Sequence, residues 1–368
     1  MLVRGDVAAT ALAASKSFRH AAPGSDTWYL AAALTGSAAP YSGQLELARF
    51  VAEGLAAAWR DDVIDDRLVR AATPIVSGLI ACGARHLAAP LVKRLFAIDI
   101  GEGVAGTWVL QARAFVEADR GDHAAAARYY LAASERLTRS GELASATAQL
   151  SNGADELMKC GAWRQAHEVM QRVDRTQLPG KLELVLDEFD GLALAHLGRL
   201  EEGVAIADNA FRVWNVPFIR GQILARFVAP LAPIDAPRAL AVADEAVTAL
   251  APHALHLPSA LATRSRVRRR VGDGDGARSD AEAAWAALIE RASLRRPAII
   301  RLAFIDELLA RGETARAAAL TLDARAALRT AAAQISDPAL AQSFLDAVPE
   351  HAETMARAAV IDATTPGG

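Results

Sequence analysis

The chain has 368 residues, a formal net charge of -3, and a composition that is 52 % hydrophobic but only 5 % aromatic. So small a charge gives no global attraction to nucleic acid or to an anionic membrane, and two cysteines, Cys82 and Cys160, are too few for a disulfide framework and read as buried free thiols. The longest apolar run, Ala71 to Ala84, stops at Arg85-His86, short of the roughly 20 residues a membrane span requires, and no signal peptide opens the chain; a cytoplasmic location is expected.

A small turn residue followed five positions later by a small residue recurs along the whole chain. The anchors are Gly5, Gly43, Gly83, Gly121, Gly161, Gly198, Ile234, Gly272 and Gly312, at steps of 38, 40, 38, 40, 37, 36, 38 and 40 residues. A fixed period in this range signals stacked helix-turn-helix units, none able to bury its apolar face alone. The first anchor is followed by a helix from Asp6 to Phe18 with no helix before it. The array is therefore expected to begin in mid-repeat, with more polypeptide upstream in the natural or ancestral protein.

The repeat near Thr107 carries the pattern in full. A first helix, Thr107 to Ala118, ends at Asp119-Arg120-Gly121-Asp122, and a second resumes through Ala126, Tyr130 and Ala133 on one face. Gly121 suits a left-handed helix end and Asp122 the cap of the next helix. Ala126 must be small where the two helices cross, and Tyr130 large to fill the gap to the next repeat. Cys160-Gly161-Ala162-Trp163 with Ala166, and Leu197-Gly198 through Gly203 with Ala207 and Ala210, repeat the frame. At Ile234 the turn, Pro230 to Pro237, lacks a leading glycine, so a kink or a longer loop is expected there. Gly272 with Ala277, Ala281 and Ala284, and Gly312 with Ala317 and Ala324, close the series. Beyond it, Asp337-Pro338 opens a helix to Val348 and Pro349 another toward Ile361, whose Glu350, His351, Glu353 and Arg357 suit the polar face of a cap.

Glycine, small, aromatic and small residues at these offsets resemble the tetratricopeptide repeat. The resemblance implies an all-α, right-handed superhelical solenoid of about eight to nine divergent repeats over residues 1–335, capping helices over 336–361 and a disordered tail over 362–368. The period of 36 to 40 residues exceeds the family's usual length of about 34 and implies longer helices or loops. The segments Asp337 to His351 and Ala22 to Tyr29 also resemble the C-terminal repeat regions of large bacterial signalling proteins, in which a serine/threonine kinase or regulator domain and an NTPase precede the array. No Gly-x4-Gly-Lys-Ser/Thr, His-Arg-Asp or Asp-Phe-Gly motif occurs in this chain.

Chemistry-bearing clusters have structural readings. Asp61, Asp62, Asp65 and Asp66 read as a solvated helix start rather than a cation site, and Gly272 to Gly276 imitates a calcium loop only until Ala277 and Arg278. His167-Glu168 lacks the second histidine of a zinc-protease helix. No metal, cofactor or catalytic residue is expected. Between Arg264 and Arg301, ten arginines face five acidic residues; they read either as a site for an acidic partner or as a face paired with Asp273, Asp275, Asp280 and Glu282. The run lacks the aromatics that stack bases, which disfavours nucleic acid. In the tetratricopeptide family, ligands meet fixed positions of the first helix of each repeat. Carried over residue by residue, the resemblance implies a groove containing Trp108, Gln111, Phe115, Ser151, Asp155, Lys159, Glu188, His196, Arg266, Arg269 and Arg270. Trp108 and Phe115 also suit the core. The expected function is non-catalytic binding of a protein or peptide, acidic segments included. A sensory region of a kinase or transcription regulator, and an enzyme using the groove as a cleft, are the alternatives.

Overall fold

The computed structural model describes residues 7–364 except 61, 102, 179–182, 214–216, 292–293 and 295. The described residues form nineteen α-helices and no strand, in two compact units, residues 1–153 and 154–368. The first unit holds α1 (Val7–His20), α2 (Asp26–Ala38), α3 (Leu45–Ala58), α4 (Asp66–Ala81), α5 (Arg85–Ala97), α6 (Val104–Arg120) and α7 (His123–Arg139). The chain continues through α8 (Leu143–Lys159). The second unit holds α9 (Trp163–Gln171), α10 (Glu183–His196), α11 (Leu200–Val213), α12 (Pro217–Leu231), α13 (Ala236–Leu250), α14 (Leu257–Arg270), α15 (Gly274–Glu290), α16 (Pro297–Ala310), α17 (Thr314–Ala332), α18 (Pro338–Asp346) and α19 (Pro349–Thr364).

The even-numbered helices from α2 to α16 are the first helices (A) of successive repeats, and the odd-numbered ones from α3 to α17 are their partners (B). Hairpins pack internally, as α6 on α7 and α10 on α11 do, and neighbouring A helices stack, as α2 on α4 and α14 on α16 do. The turns explain the frame. Gly43, Gly83, Gly121, Gly161, Gly198, Gly272 and Gly312 all have positive φ, between 73° and 93°, a region that only glycine enters at little cost. Gly5 lies outside the described residues. Aspartates start the following helices: Asp122 accepts from Ala125 N at 3.0 Å and Asp273 from Gly276 N at 2.9 Å.

Small residues sit where helices cross. Ala126 is fully buried and Tyr130 nearly so. Between α10 and α11, a Cβ on Gly191 would lie 2.4 Å from Gly203 O and 3.1 Å from Ala207 Cβ, so only backbone-to-backbone approach fits. In the first unit Leu55, Ile75, Leu79, Leu91 and Leu95 fill the space between hairpins; in the second, Ile300, Leu302 and Ile305 do so around Ala281, Ala284 and Ala317.

Several boundaries differ from the sequence expectation. The helix placed over Thr107 to Ala118 runs from Val104 to Arg120, because the residues on both sides keep the helical pattern up to a glycine. At Ile234, which is exposed, α12 carries Pro230 within its last turn and α13 starts under an Asp235 cap. The resulting turn, 232–235, is one residue longer than the glycine-led 271–273. The last helix continues through Thr364, with Asp362 paired to Arg325 of α17, so the expected tail over 362–368 begins in ordered helix; residues 365–368 lie outside the described residues. On the polar face of the last helix, Glu350 and His351 are buried while Glu353 and Arg357 are partly exposed. Cys160 is buried and Cys82 half-buried, and neither is in a disulfide. No helix among the described residues is long and apolar enough to cross a membrane.

Candidate protein-interaction site

In the first unit, α6 carries Trp108, Gln111 and Phe115 at helical spacing. Trp108 is buried under the Arg70 guanidinium, 5.0 Å from its ring centroid, and Arg70 in turn pairs with Glu142 at 3.3 Å. Trp108 also lines an open cavity of about 240 Å³ with Thr107, Arg136, Ser140 and Glu142. Its indole Nε1, the Gln111 Oε1 and the Gln149 Oε1 of α8 are buried without a hydrogen-bond partner. Phe115 belongs to packing, since its ring meets Tyr130 edge-on at 5.7 Å. Ser151 is buried and donates to Ala148 O at 3.0 Å, so its hydroxyl is already engaged.

In the second unit, Asp155 lies between Lys159, at 2.9 Å, and Arg226 of α12. Burial alone would raise its carboxyl, but the two cations outweigh it and hold the group below the usual carboxylate range. Lys159 also bonds Glu156 at 2.6 Å. His196, at the end of α10, stacks on Trp163 of α9 with ring centroids 3.8 Å apart and planes 5° from parallel. Burial, reinforced by Arg226, pushes its pKa down to about 3, and its Nε2 has no partner. Glu188 of α10 is 1 % exposed and neither carboxyl oxygen has a hydrogen-bond partner. Burial raises its pKa to about 8; Arg220 opposes the rise but is itself paired with Glu245.

The arginine run is largely neutralised within the chain. Arg264 makes a bidentate contact to Asp280 at 2.7 and 2.8 Å and reaches Asp244 at 3.0 Å, while Arg268 reaches Asp280 at 3.1 Å. Arg266 bonds Asp306 of α16 at 2.9 Å and Glu353 of α19 at 2.7 Å, and Arg269 pairs with Glu307. Arg270 is exposed. Of the eleven expected groove residues, Asp155, Lys159, Arg266 and Arg269 thus already carry intramolecular ion pairs.

Sequence reasoning missed that α18 and α19 reach back toward earlier repeats. Trp163 Nε1 donates to Ala347 O at 3.1 Å, and Arg296 bonds the buried Glu350 carboxylate at 2.7 Å. Arg357 bonds Asp306 at 2.7 Å. Partners so distant in the chain leave no local spacing to read.

The other acidic clusters serve as caps. Asp65 caps α4 and accepts from Tyr29 Oη at 2.8 Å, and Asp66 accepts from Ala105 N at 3.2 Å; Asp61 lies outside the described residues. His167 Nδ1 lies 2.5 Å from the buried Asp190, which Gln171 also bonds. Among the described residues, no three His, Cys, Asp or Glu side chains converge as metal ligands do.

No family model and no curated protein matches the chain in sequence. Among solved structures it is similar to the crystal structure of Rap protein complexed with competence and sporulation factor, at 13 % identity and a TM-score of 0.56, over 97 % of this chain and 98 % of that one. The fold is an all-α helical-repeat solenoid. At that identity the likeness speaks for the fold alone.

Proposed function

We propose that this chain is a non-catalytic binding protein whose A-helix faces hold a protein or peptide segment. One observation carries the reading. Within the described α-helices of the repeats, the buried side-chain atoms without hydrogen-bond partners sit on A helices and include Trp108 and Gln111 on α6, Gln149 on α8, and Glu188 and His196 on α10. An unsatisfied buried polar group costs about 1–3 kcal/mol, and a fold does not place such groups repeatedly on one helix type unless something else meets them. A peptide backbone, with alternating donors and acceptors, supplies what amide oxygens, an indole N–H and an imidazole require. That the Rap neighbour is in complex with competence and sporulation factor agrees with this role for the fold.

Catalysis has less support. The two unpartnered groups whose pKa values are strongly displaced toward the neutral form, Glu188 and His196, are eight residues apart on one helix, about 12 Å along its axis, and neither lines the cavity of about 330 Å³ beside Trp163 and Leu340. A randomised peptide library displayed on phage and selected on the full chain tests the reading, with selected peptides titrated by calorimetry into wild type, Gln111→Ala and Gln149→Ala. Each substitution is expected to weaken binding about tenfold, the worth of one hydrogen bond. Failure to select any peptide, or affinities untouched by both substitutions, would refute it.

A further inference from the structure

The A-helix face of the second unit is already partly covered by the chain's own C-terminal hairpin. α19 packs against α16 and α17, yet its carboxylates reach beyond them, Glu353 to Arg266 on α14 and Glu350 to Arg296. The end of α18 goes further back. Gly43, Gly198, Gly272 and Gly312 open onto free space, whereas a Cβ at the equivalent Gly161 would lie 2.8 Å from Ala347 Cβ and 2.9 Å from Ser343 O. Trp163, two residues on, binds Ala347 O. Arg296, the single non-glycine residue with positive φ among those described, at 51°, adopts a costly backbone conformation, and its guanidinium clasps both Glu350 and Ala225 O of α12.

The hairpin α18–α19 buries Phe344, Val348 and Ala358 and is tied to α14 and to Arg296 by carboxylate–guanidinium pairs, of the kind that also links α14 to α16 through Arg266 and Asp306. Such pairs confer orientation, but the cost of desolvating them offsets much of their attraction. A second helix offering the same two carboxylates would replace them at little net cost. Glu350 and Glu353 stand three residues apart, so both project on one side of a helix.

We propose that α18–α19 is a resident, displaceable occupant of this face, and that the external partner is an acidic helical segment presenting two carboxylates one turn apart to Arg296 and Arg266. This deepens the binding reading above and rests on it. The probe is a fluorescein-labelled synthetic peptide of residues 336–364, titrated by fluorescence anisotropy into the full chain, wild type and Glu350→Gln/Glu353→Lys. Loosening the internal hairpin is expected to tighten binding of the peptide at least tenfold, and adding Arg266→Glu to abolish it. Hydrogen exchange on the same proteins is expected to show α18 and α19 opening while α14 and α16 stay protected. Equal peptide affinities, unchanged exchange in α18–α19, or loss of protection in α14 and α16 together with α19 would each overturn the proposal, the last by making the hairpin an integral part of the final repeats. If phage selection fails while this peptide binds, only the general peptide-groove reading falls; the converse removes only the displaceable hairpin.

Discussion

Glu188 gives the sharpest test of the A-helix face as a set of unsatisfied groups. Its carboxyl is 1 % exposed, bonded to nothing, and raised by burial from an ordinary 4.5 to about 8. In the unfolded chain it releases its proton near 4.5, so between pH 4.5 and 8 the folded state binds a proton the unfolded state has lost. Stability contributed by this group is therefore fully present below pH 4.5, falls as pH rises, and is exhausted above pH 8. The slope is about 1.4 kcal/mol per pH unit and the whole span about 5 kcal/mol. Glu188→Gln keeps the shape and removes the titration. Urea unfolding followed by circular dichroism should find the variant within about 1 kcal/mol of wild type at pH 5 and more stable by several kcal/mol at pH 9. A stability difference that does not change with pH, or a variant weaker than wild type at pH 9, would refute the reasoning and mean that an ionised Glu188 is held by Arg220.

His196 has the opposite sign. Its imidazole stays neutral down to about pH 3 while the unfolded chain takes up a proton below 6.5, so wild-type stability should fall on acidification through that window; His196→Phe, which preserves the stack on Trp163, should flatten this limb in unfolding curves taken from pH 4 to 7. The Glu350 carboxyl is raised by burial but lowered more by Arg296, to about 2, so its contribution is present above pH 4.5 and lost as pH falls toward 2; the protection of α19 amides, measured against the intrinsic exchange rate at each pH, should fall at pH 3 relative to pH 6 before that of α14 does. Gly161→Ala, strained at φ 73° and pressed on Ala347, should cost about 2–3 kcal/mol in urea unfolding, against about 1 kcal/mol for Gly272→Ala, which opens onto free space. Ala126→Leu should lose about 1–3 kcal/mol by overfilling the crossing of α6 and α7, measured the same way.

The repeat frame was legible because its determinants are local. A left-handed glycine, an aspartate cap and a small residue four to five positions later act within one hairpin, and α6–α7 realises all three at Gly121, Asp122 and Ala126. The candidate site was legible only in part. Carrying family positions onto the A helices named Trp108, Gln111, Glu188 and His196, whose unpartnered atoms motivate the proposed binding role, but it gave no warning that Ser151 bonds its own helix or that Phe115 fills the gap beside Tyr130. Of the arginines, the reading that pairs Arg264 and Arg268 with Asp280 describes their geometry, since these residues lie on one hairpin.

By itself the sequence determined helix type, repeat length and turn position, since periodicity and glycine conformation are properties of neighbouring residues. Only the tertiary structure decided which charges meet across repeats: Arg266 with Glu353, 87 residues away, and Trp163 with Ala347, 184 away. Repeats contact only their neighbours, so the alignment of distant side chains is the sum of many small rotations from one hairpin to the next. No single residue encodes that sum.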